Sequence, residues 1–235
     1  MSFGTEHAMP DVSGHGSRSV LREITAEDVE GLDTVARLHL QLLDFGPMSA
    51  LGLRFVRDVC YRMLLADGVL RLALCEVEGE PAGFVAYTSQ SVQFHRVSLR
   101  RHWFAAARAA LRAIVEDPSR IAGLIRTLRV LRSRRAHQER ERDPLGEVVC
   151  LAARPEYLTP RFVRQTGVRV SEELELYALD CLRRLRVPRV RMIVDADNKR
   201  ALFLHHRLGG RFERSELGGA PQLEVWFDLT NESSE

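Results

Sequence analysis

Lysine is almost missing from this chain. Lys199 is the single one, and arginine supplies the rest of the positive charge, a bias we read as a coding preference of the genome ahead of any nucleic-acid signal. Net charge is nearly absent too: a formal value of +2 over 235 residues gives no global field to gather nucleic acid or an anionic membrane surface. There is no CxxC pair and no Cys/His spacing of the metal-binding kind. Cys60, Cys75, Cys150 and Cys181 are scattered, and three of them sit inside apolar runs. Buried, reduced thiols of this sort are expected of a cytoplasmic protein that holds no metal. Residues 1–19 are rich in Gly, Ser and His and lack an apolar core, so they read as a disordered tail, neither signal peptide nor membrane anchor. Residues 231–235 read as a frayed end. Between them, a hydrophobic share of 45% is enough for one sizeable domain, 20–230, with a buried core.

What is present is organised around Arg164-Gln165-Thr166-Gly167-Val168-Arg169-Val170-Ser171. An apolar run, Val148 to Ala153, closes at Arg154-Pro155 just before it, and a helical pattern through Leu174, Leu176, Tyr177, Leu179 and Leu182 follows. Strand, loop and helix N-terminus in that order make a concave set of backbone N–H donors at the positive end of a helix dipole, a ready site for phosphate. Gly167 allows close approach and positive φ, and Arg164 and Arg169 offer charge-assisted hydrogen bonds. The competing reading is an ordinary connection on a basic surface. A second apolar run, Val190 to Val194, leads into Asp195-Ala196-Asp197-Asn198 and a short helix, Ala201 to Leu208, stopped by Gly209-Gly210.

This order resembles the GNAT superfamily of acetyl-CoA-dependent N-acetyltransferases, whose pyrophosphate loop reads Arg/Gln-x-x-Gly-x-Gly/Ala and whose last helix reads Asn-x-x-Ala, then Tyr, then a Leu-Gly-Phe stop. Arg164, Gly167, Asn198, Ala201, Leu208 and Gly209 match; Arg169, His205 and Gly210 stand where a small residue, a tyrosine and an aromatic are usual. The resemblance implies an α/β (α+β) fold: a mixed, mostly antiparallel twisted sheet flanked by helices. Acetyl-CoA would enter as co-substrate, with no metal.

The rest of the chain fits that plan. Val20 to Ile24 reads as a first strand, with Thr25 and Asp28 as a capping box for a helix through Val29, Leu32, Val35, Ala36, Leu38 and Leu43 that stops at Phe45-Gly46-Pro47. A second helix is expected over about Ala50 to Leu65, then a hairpin, Val69 to Val77 and Ala82 to Thr88, turning at Glu78-Gly79-Glu80-Pro81. Residues 90–146 form an unusual insertion between this hairpin and the cofactor-binding strand. It carries two helical patterns, one from Trp103 to Ile114 and one from Ile121 to Leu131, with arginines at many polar positions. It reads either as a lid that brings guanidinium groups to an anionic acceptor or as an amphipathic pair with a solvated face that packs a homodimer. Gln222 to Leu229 supplies a final strand.

Transfer of an acyl group to an amine needs a bound thioester, a group to take the ammonium proton, and a donor for the departing thiolate. The resemblance places the pantetheine arm along Leu151, Ala152 and Ala153, paired to their backbone like an added strand. It places the pyrophosphate on Arg164, Gln165, Thr166, Gly167, Val168 and Arg169. Glu147, which opens the strand, holds the position of the family's base, or is a plain strand-edge carboxylate. His205 takes the tyrosine position and can donate to a thiolate, its free pKa of about 6.5 being suited to neutral pH; its neighbour His206, about 100° round the helix, is the other candidate. Asn198 caps the last helix, contacts the cofactor, or does both. Cys150 as a covalent carrier ranks below direct transfer in a ternary complex.

The leading expectation is thus an enzyme, an N-acetyltransferase of a small-molecule primary amine, with an amino sugar or amino-sugar nucleotide placed first. Two alternatives stand beside it: a GNAT-fold binding module without activity, and an arginine-rich nucleic-acid or ribosome-associated protein. The near-neutral charge weighs against the last.

Overall fold

The computed structural model describes residues 19–43, 49–91, 103–118, 121, 125, 145–215 and 221–230. The chain enters along strand β1, Ser19–Glu23, and turns into helix α1, Val29–Leu42. The cap of α1 is Asp28, whose side chain accepts from the Gly31 N–H; of the expected capping box, Thr25 contributes only its carbonyl, to the Asp28 N–H. Past a short 3-10 turn, Ser49–Leu51, the expected second helix is not a plain α-helix. It is widened into a π-helical segment, Phe55–Arg62, in which Met63 N–H still reaches five residues back to the Asp58 carbonyl, before one α-turn, α2, Met63–Ala66. Residues 44–48, where the first helix was expected to stop, lie outside the described residues.

The hairpin forms as read: β2, Arg71–Val77, and β3, Glu80–Thr88, joined at Glu78 and Gly79, both at positive φ (55° and 83°), the backbone twist a two-residue turn requires. Helix α3, Trp103–Glu116, is the first helix of the insertion. Its Ala110 packs with Leu51 and Phe55, so it is seated on the π-helical segment. Most of the second expected helix, and the tails, lie outside the described residues.

From β4, Leu145–Ala153, the chain runs through a 3-10 turn, Pro155–Leu158, helix α4, Pro160–Thr166, and helix α5, Val170–Arg184. Then come β5, Arg189–Asp195, helix α6, Lys199–Arg207, and two closing strands, β6, Arg211–Arg214, and β7, Gln222–Asp228. β6 had no sequence signal; its four residues, Arg-Phe-Glu-Arg, are too polar and too short to show alternation. The seven strands form one sheet in the order β1-β2-β3-β4-β5-β7-β6, antiparallel throughout except where β4 meets β5.

Strand alternation divides the core in two. Phe84, Ala86 and Ala152 face α1 and the π-helical segment, packing with Leu32, Val35, Leu38, Val56 and Leu64. Val85, Tyr87, Val148, Val190 and Met192 face α5, packing with Val170, Leu174, Ala178 and Leu182. Gly210 shows why an aromatic is missing from the end of α6. A Cβ there would lie 2.6 Å from Val225 Cγ1, 2.9 Å from the His205 carbonyl oxygen and 3.0 Å from Phe227 Cζ. Gly210→Ala is therefore expected to cost about 1–3 kcal/mol, the usual range for overpacking, read as a lowered denaturation midpoint.

Candidate active site

The parallel pairing of β4 and β5 covers only Leu145 to Val148 against Arg189 to Met192. β4 then continues to Ala153, still paired to β3 through Gly83↔Ala153, while β5 turns to β7 along its whole length. Among the described residues, the edge of β4 from Val149 onward thus has no ladder partner on the β5 side. Leu151 is half-buried there, and Ala152 and Ala153 are buried. An open strand edge inside a sheet presents backbone donors and acceptors that an extended ligand can pair with.

The connection after β4 differs from the expected open loop. Arg164, Gln165 and Thr166 form the last turn of α4, which starts because Thr159 Oγ1 accepts from the Phe162 N–H and Pro160 suits the first helical position. It ends at Gly167 in the left-handed conformation, φ 75°. Only Gly167, Val168 and Arg169 remain as the link into α5. The Val168 N–H donates to Thr166 Oγ1 and the Arg169 N–H to Glu173 Oε1, so two of the expected phosphate donors are engaged by side chains of the chain itself. The first-turn N–H groups of α5 follow, yet that turn carries Glu172 and Glu173. Glu172 pairs with both Arg169 and Arg207 of α6. An anion arriving here meets two carboxylates, with Arg169 and Arg207 as the compensating cations. Arg164 and Gln165 are exposed.

Asn198 is exposed and caps α6, its Oδ1 accepting from the Ala201 N–H at 3.2 Å. Its helix runs back beside α5 and carries His205 into a buried position, 5% exposed. There His205 Nδ1 and Glu175 Oε1 share a hydrogen bond at 2.7 Å, and Phe227 meets the ring edge-on, centroids 6.5 Å apart. His206 packs instead beside Phe212, centroids 6.2 Å apart.

Glu147 is placed in the interior. It is 2% exposed, and its Oε2 accepts from Ser91 Oγ at 2.5 Å and from an Arg191 guanidinium nitrogen at 3.3 Å. Sheet register explains the meeting: Thr88, Glu147, Arg191 and Trp226 are successive cross-strand partners on β3, β4, β5 and β7, so their side chains share the face toward α1. Arg191, 1% exposed, lies with its guanidinium carbon 5.7 Å from the Trp226 ring, and Arg189 lies 4.5 Å from the same ring. On this face too, Tyr61 OH shares a 2.6 Å hydrogen bond with His39 Nδ1 and approaches Cys150 Sγ at 3.6 Å. Burial pushes the Tyr61 phenol well above its ordinary range and the Cys60 thiol to about 12, so neither is an anionic nucleophile at neutral pH.

The structure therefore brings Glu147 together with Arg191 and Ser91, and His205 with Glu175, but no hydrogen bond joins Glu147 to His205. Reading the sequence missed Arg191 and Glu175. Both had a visible signal: each is a charge at a position where the strand or helix pattern is otherwise buried. Among the described residues no helix is long and apolar enough to cross a membrane, and no cluster of three or more His, Cys, Asp or Glu could hold a metal ion.

No family model matches the sequence, and no curated protein matches it. Solved structures do match. A GNAT-family protein from Desulfovibrio desulfuricans aligns over 90% of this chain and 99% of its own, with TM-score 0.53 and 10% identity. YncA from Salmonella typhimurium, solved with its cofactor acetyl-CoA, aligns over 93% of this chain and 98% of its own, with TM-score 0.51 and 12% identity. The dodecameric spermidine N-acetyltransferase from Vibrio cholerae aligns over 92% and 99%, with TM-score 0.51 and 13% identity. The chain has the GNAT acetyltransferase fold.

Proposed function

We propose that this chain is an acyltransferase that moves an acetyl group from acetyl-CoA to a primary amine of a small molecule, by direct transfer in a ternary complex. The observation that carries the reading is the parting of β4 from β5 after Val148 and Met192, beside the start of α5. The open edge at Leu151, Ala152 and Ala153 suits the amides of the pantetheine arm. The first turn of α5, with Arg169 and Arg207, suits the phosphates, which would take these guanidinium groups over from Glu172. Asn198 would stand at the cofactor through the groups its cap leaves over.

Acetyl-CoA supplies the activated carbonyl. Glu147 would take the ammonium proton, directly or through water, on the α1 face where the acceptor enters. His205 would deliver a proton to the sulfur. For the acceptor we favour an amino sugar or amino-sugar nucleotide, on the strength of the arginines in residues 90–146. Arg108 and Arg112 of these are exposed on α3, which is seated beside the acceptor face; the remainder lie outside the described residues.

Calorimetric titration with acetyl-CoA is expected to give micromolar binding, and a thiol-release screen over amino sugars, polyamines and amino acids to give turnover. No binding would overturn the reading. Binding without turnover would favour the inactive module, for which the acidic first turn of α5 is the specific observation. Salt-sensitive binding of RNA without acetyl-CoA would favour the nucleic-acid protein.

A further inference from the structure

The buried stripe of α5 contains Leu174, Ala178, Leu179 and Leu182, and in its midst Glu175, fully buried. A carboxylate at such a position loses its hydration and persists only against a compensating partner. The partner is His205. Its Nδ1 lies 2.7 Å from Glu175 Oε1, while Glu175 Oε2 is buried without a hydrogen bond. Nothing about packing calls for this carboxylate, since a leucine would extend the stripe at less cost.

The pair is held from three sides. Phe227 abuts the ring, the Gly210 N–H donates to the His205 carbonyl at 2.8 Å, and Arg207 ties the same helix to Glu172, one turn earlier in α5. A carboxylate can only accept, so the hydrogen of the pair sits on Nδ1 and the other ring nitrogen, Nε2, is left for exchange. Among the described residues nothing is hydrogen-bonded to Nε2, and the His205 residue keeps a residual 5% exposure.

We propose that Glu175 is the positioning residue of His205: by accepting the Nδ1 hydrogen it fixes the ring and its tautomer and makes Nε2 the nitrogen that serves the sulfur. This rests on the acetyl-transfer reading. As the amine nitrogen bonds to the acetyl carbon, the carbon–sulfur bond breaks, its electron pair goes to sulfur, and the nitrogen sheds its surplus proton to water. The Nε2 hydrogen of the doubly protonated ring passes to that thiolate, and the ring takes its next proton from solvent. Glu175 keeps its charge throughout and balances the cationic ring. The family's tyrosine needs no such partner; a histidine in its place does, because only one of its two nitrogens is useful.

Two readouts test this. Nitrogen-15 NMR of the imidazoles in the wild-type protein is expected to show His205 carrying hydrogen on Nδ1 at every pH. In Glu175→Gln, which keeps the shape and removes the charge, both tautomers are expected. The same variant is expected to lower kcat about tenfold to a hundredfold, part of the range for general acid catalysis, with acetyl-CoA binding unchanged within about twofold. An unprotonated Nδ1 in the wild type overturns the proposal without touching the acetyl-transfer reading. An unchanged kcat in a folded Glu175→Gln does the same. Absence of acetyl-CoA binding in the wild type overturns the acetyl-transfer reading, and the NMR result then still decides whether Glu175 orders the ring.

Discussion

Glu147→Gln is expected to lower the unfolding free energy by about 3–5 kcal/mol, the cost of leaving one member of a buried ion pair without the other. Glu147 and Arg191 are 2% and 1% exposed, so water cannot take over the role of the missing carboxylate. Ser91 Oγ, which donates to Glu147, can accept from a guanidinium N–H but brings no charge to balance it. The Trp226 ring, already approached by Arg189 and Arg191, returns a fraction of that as cation–π attraction, about 1 kcal/mol. Arg191→Met should cost a similar amount. The double variant Glu147→Leu/Arg191→Met should regain most of the loss, because well-packed apolar groups in place of a buried pair are neutral or stabilising. Denaturant titrations at pH 7 measure all three. They also separate the two roles of Glu147. If the carboxylate takes the ammonium proton, the double variant is folded yet slower by about 10²–10⁴-fold. A stable double variant with full turnover would leave Glu147 as a structural charge alone.

This pair shows where reading the sequence succeeds and where it stops. Apolar periodicity located β2, β3, β4, β5, α1, α5 and α6 within a few residues, because each buries a face that its pattern announces. The parallel β4–β5 contact and the opening beyond it are properties of register between strands far apart in the chain, and a pattern within one strand does not carry register. Glu147 was read as opening a strand, yet β4 starts at Leu145 and Glu147 is its buried third residue; that it meets Arg191 was not legible, although Arg191 alternates with Val190 and Met192 in a strand that had to be buried on both faces.

The helix α4 is the clearest departure. Arg164-Gln165-Thr166-Gly167 reads as loop because Gly167 and the flanking arginines dominate the local composition. The deciding residues are upstream: Thr159 and Pro160 start a helix, and Gly167 ends it. Gly167 was thus read correctly as a position of positive φ and wrongly as the middle of an open loop. His205 was legible only as a histidine at the position the resemblance gives to a tyrosine; that it bonds Glu175, thirty residues away, was not, because helix periodicity does not reach from one helix to another.

Acidification is expected to cost the fold about 3 kcal/mol between pH 6.5 and pH 4 through one residue, His39. Its ring is 8% exposed in α1, stacked near Phe84 with centroids 6.1 Å apart and bonded through Nδ1 to Tyr61. Burial depresses its pKa from 6.5 to about 4. Above pH 6.5 both folded and unfolded states hold it neutral, and it has no effect. As pH falls through 6.5 the unfolded chain binds a proton that the folded one refuses, so stability drops, at about 1.4 kcal/mol per unit, until the folded ring protonates near pH 4. Tyr61, bonded to it, is raised well above its ordinary range by burial, stays neutral over this window and contributes nothing. Asp33, whose carboxyl is held below its ordinary range by Arg37 and Arg57, loses its contribution only below its unfolded pKa of 3.8, outside the window. His39→Gln, which keeps a partner for Tyr61, should therefore flatten the decline between pH 6.5 and pH 4 in denaturant titrations, leaving the steeper loss at lower pH intact. A decline of unchanged slope would mean that His39 is protonated in the folded protein. Because Tyr61 links His39 to Cys150 on β4, just past the last residue paired to β5, the same protonation should loosen the wall of the opening before the sheet itself gives way. On the acetyl-transfer reading proposed above, acetyl-CoA affinity should then fall at a higher pH than global unfolding does.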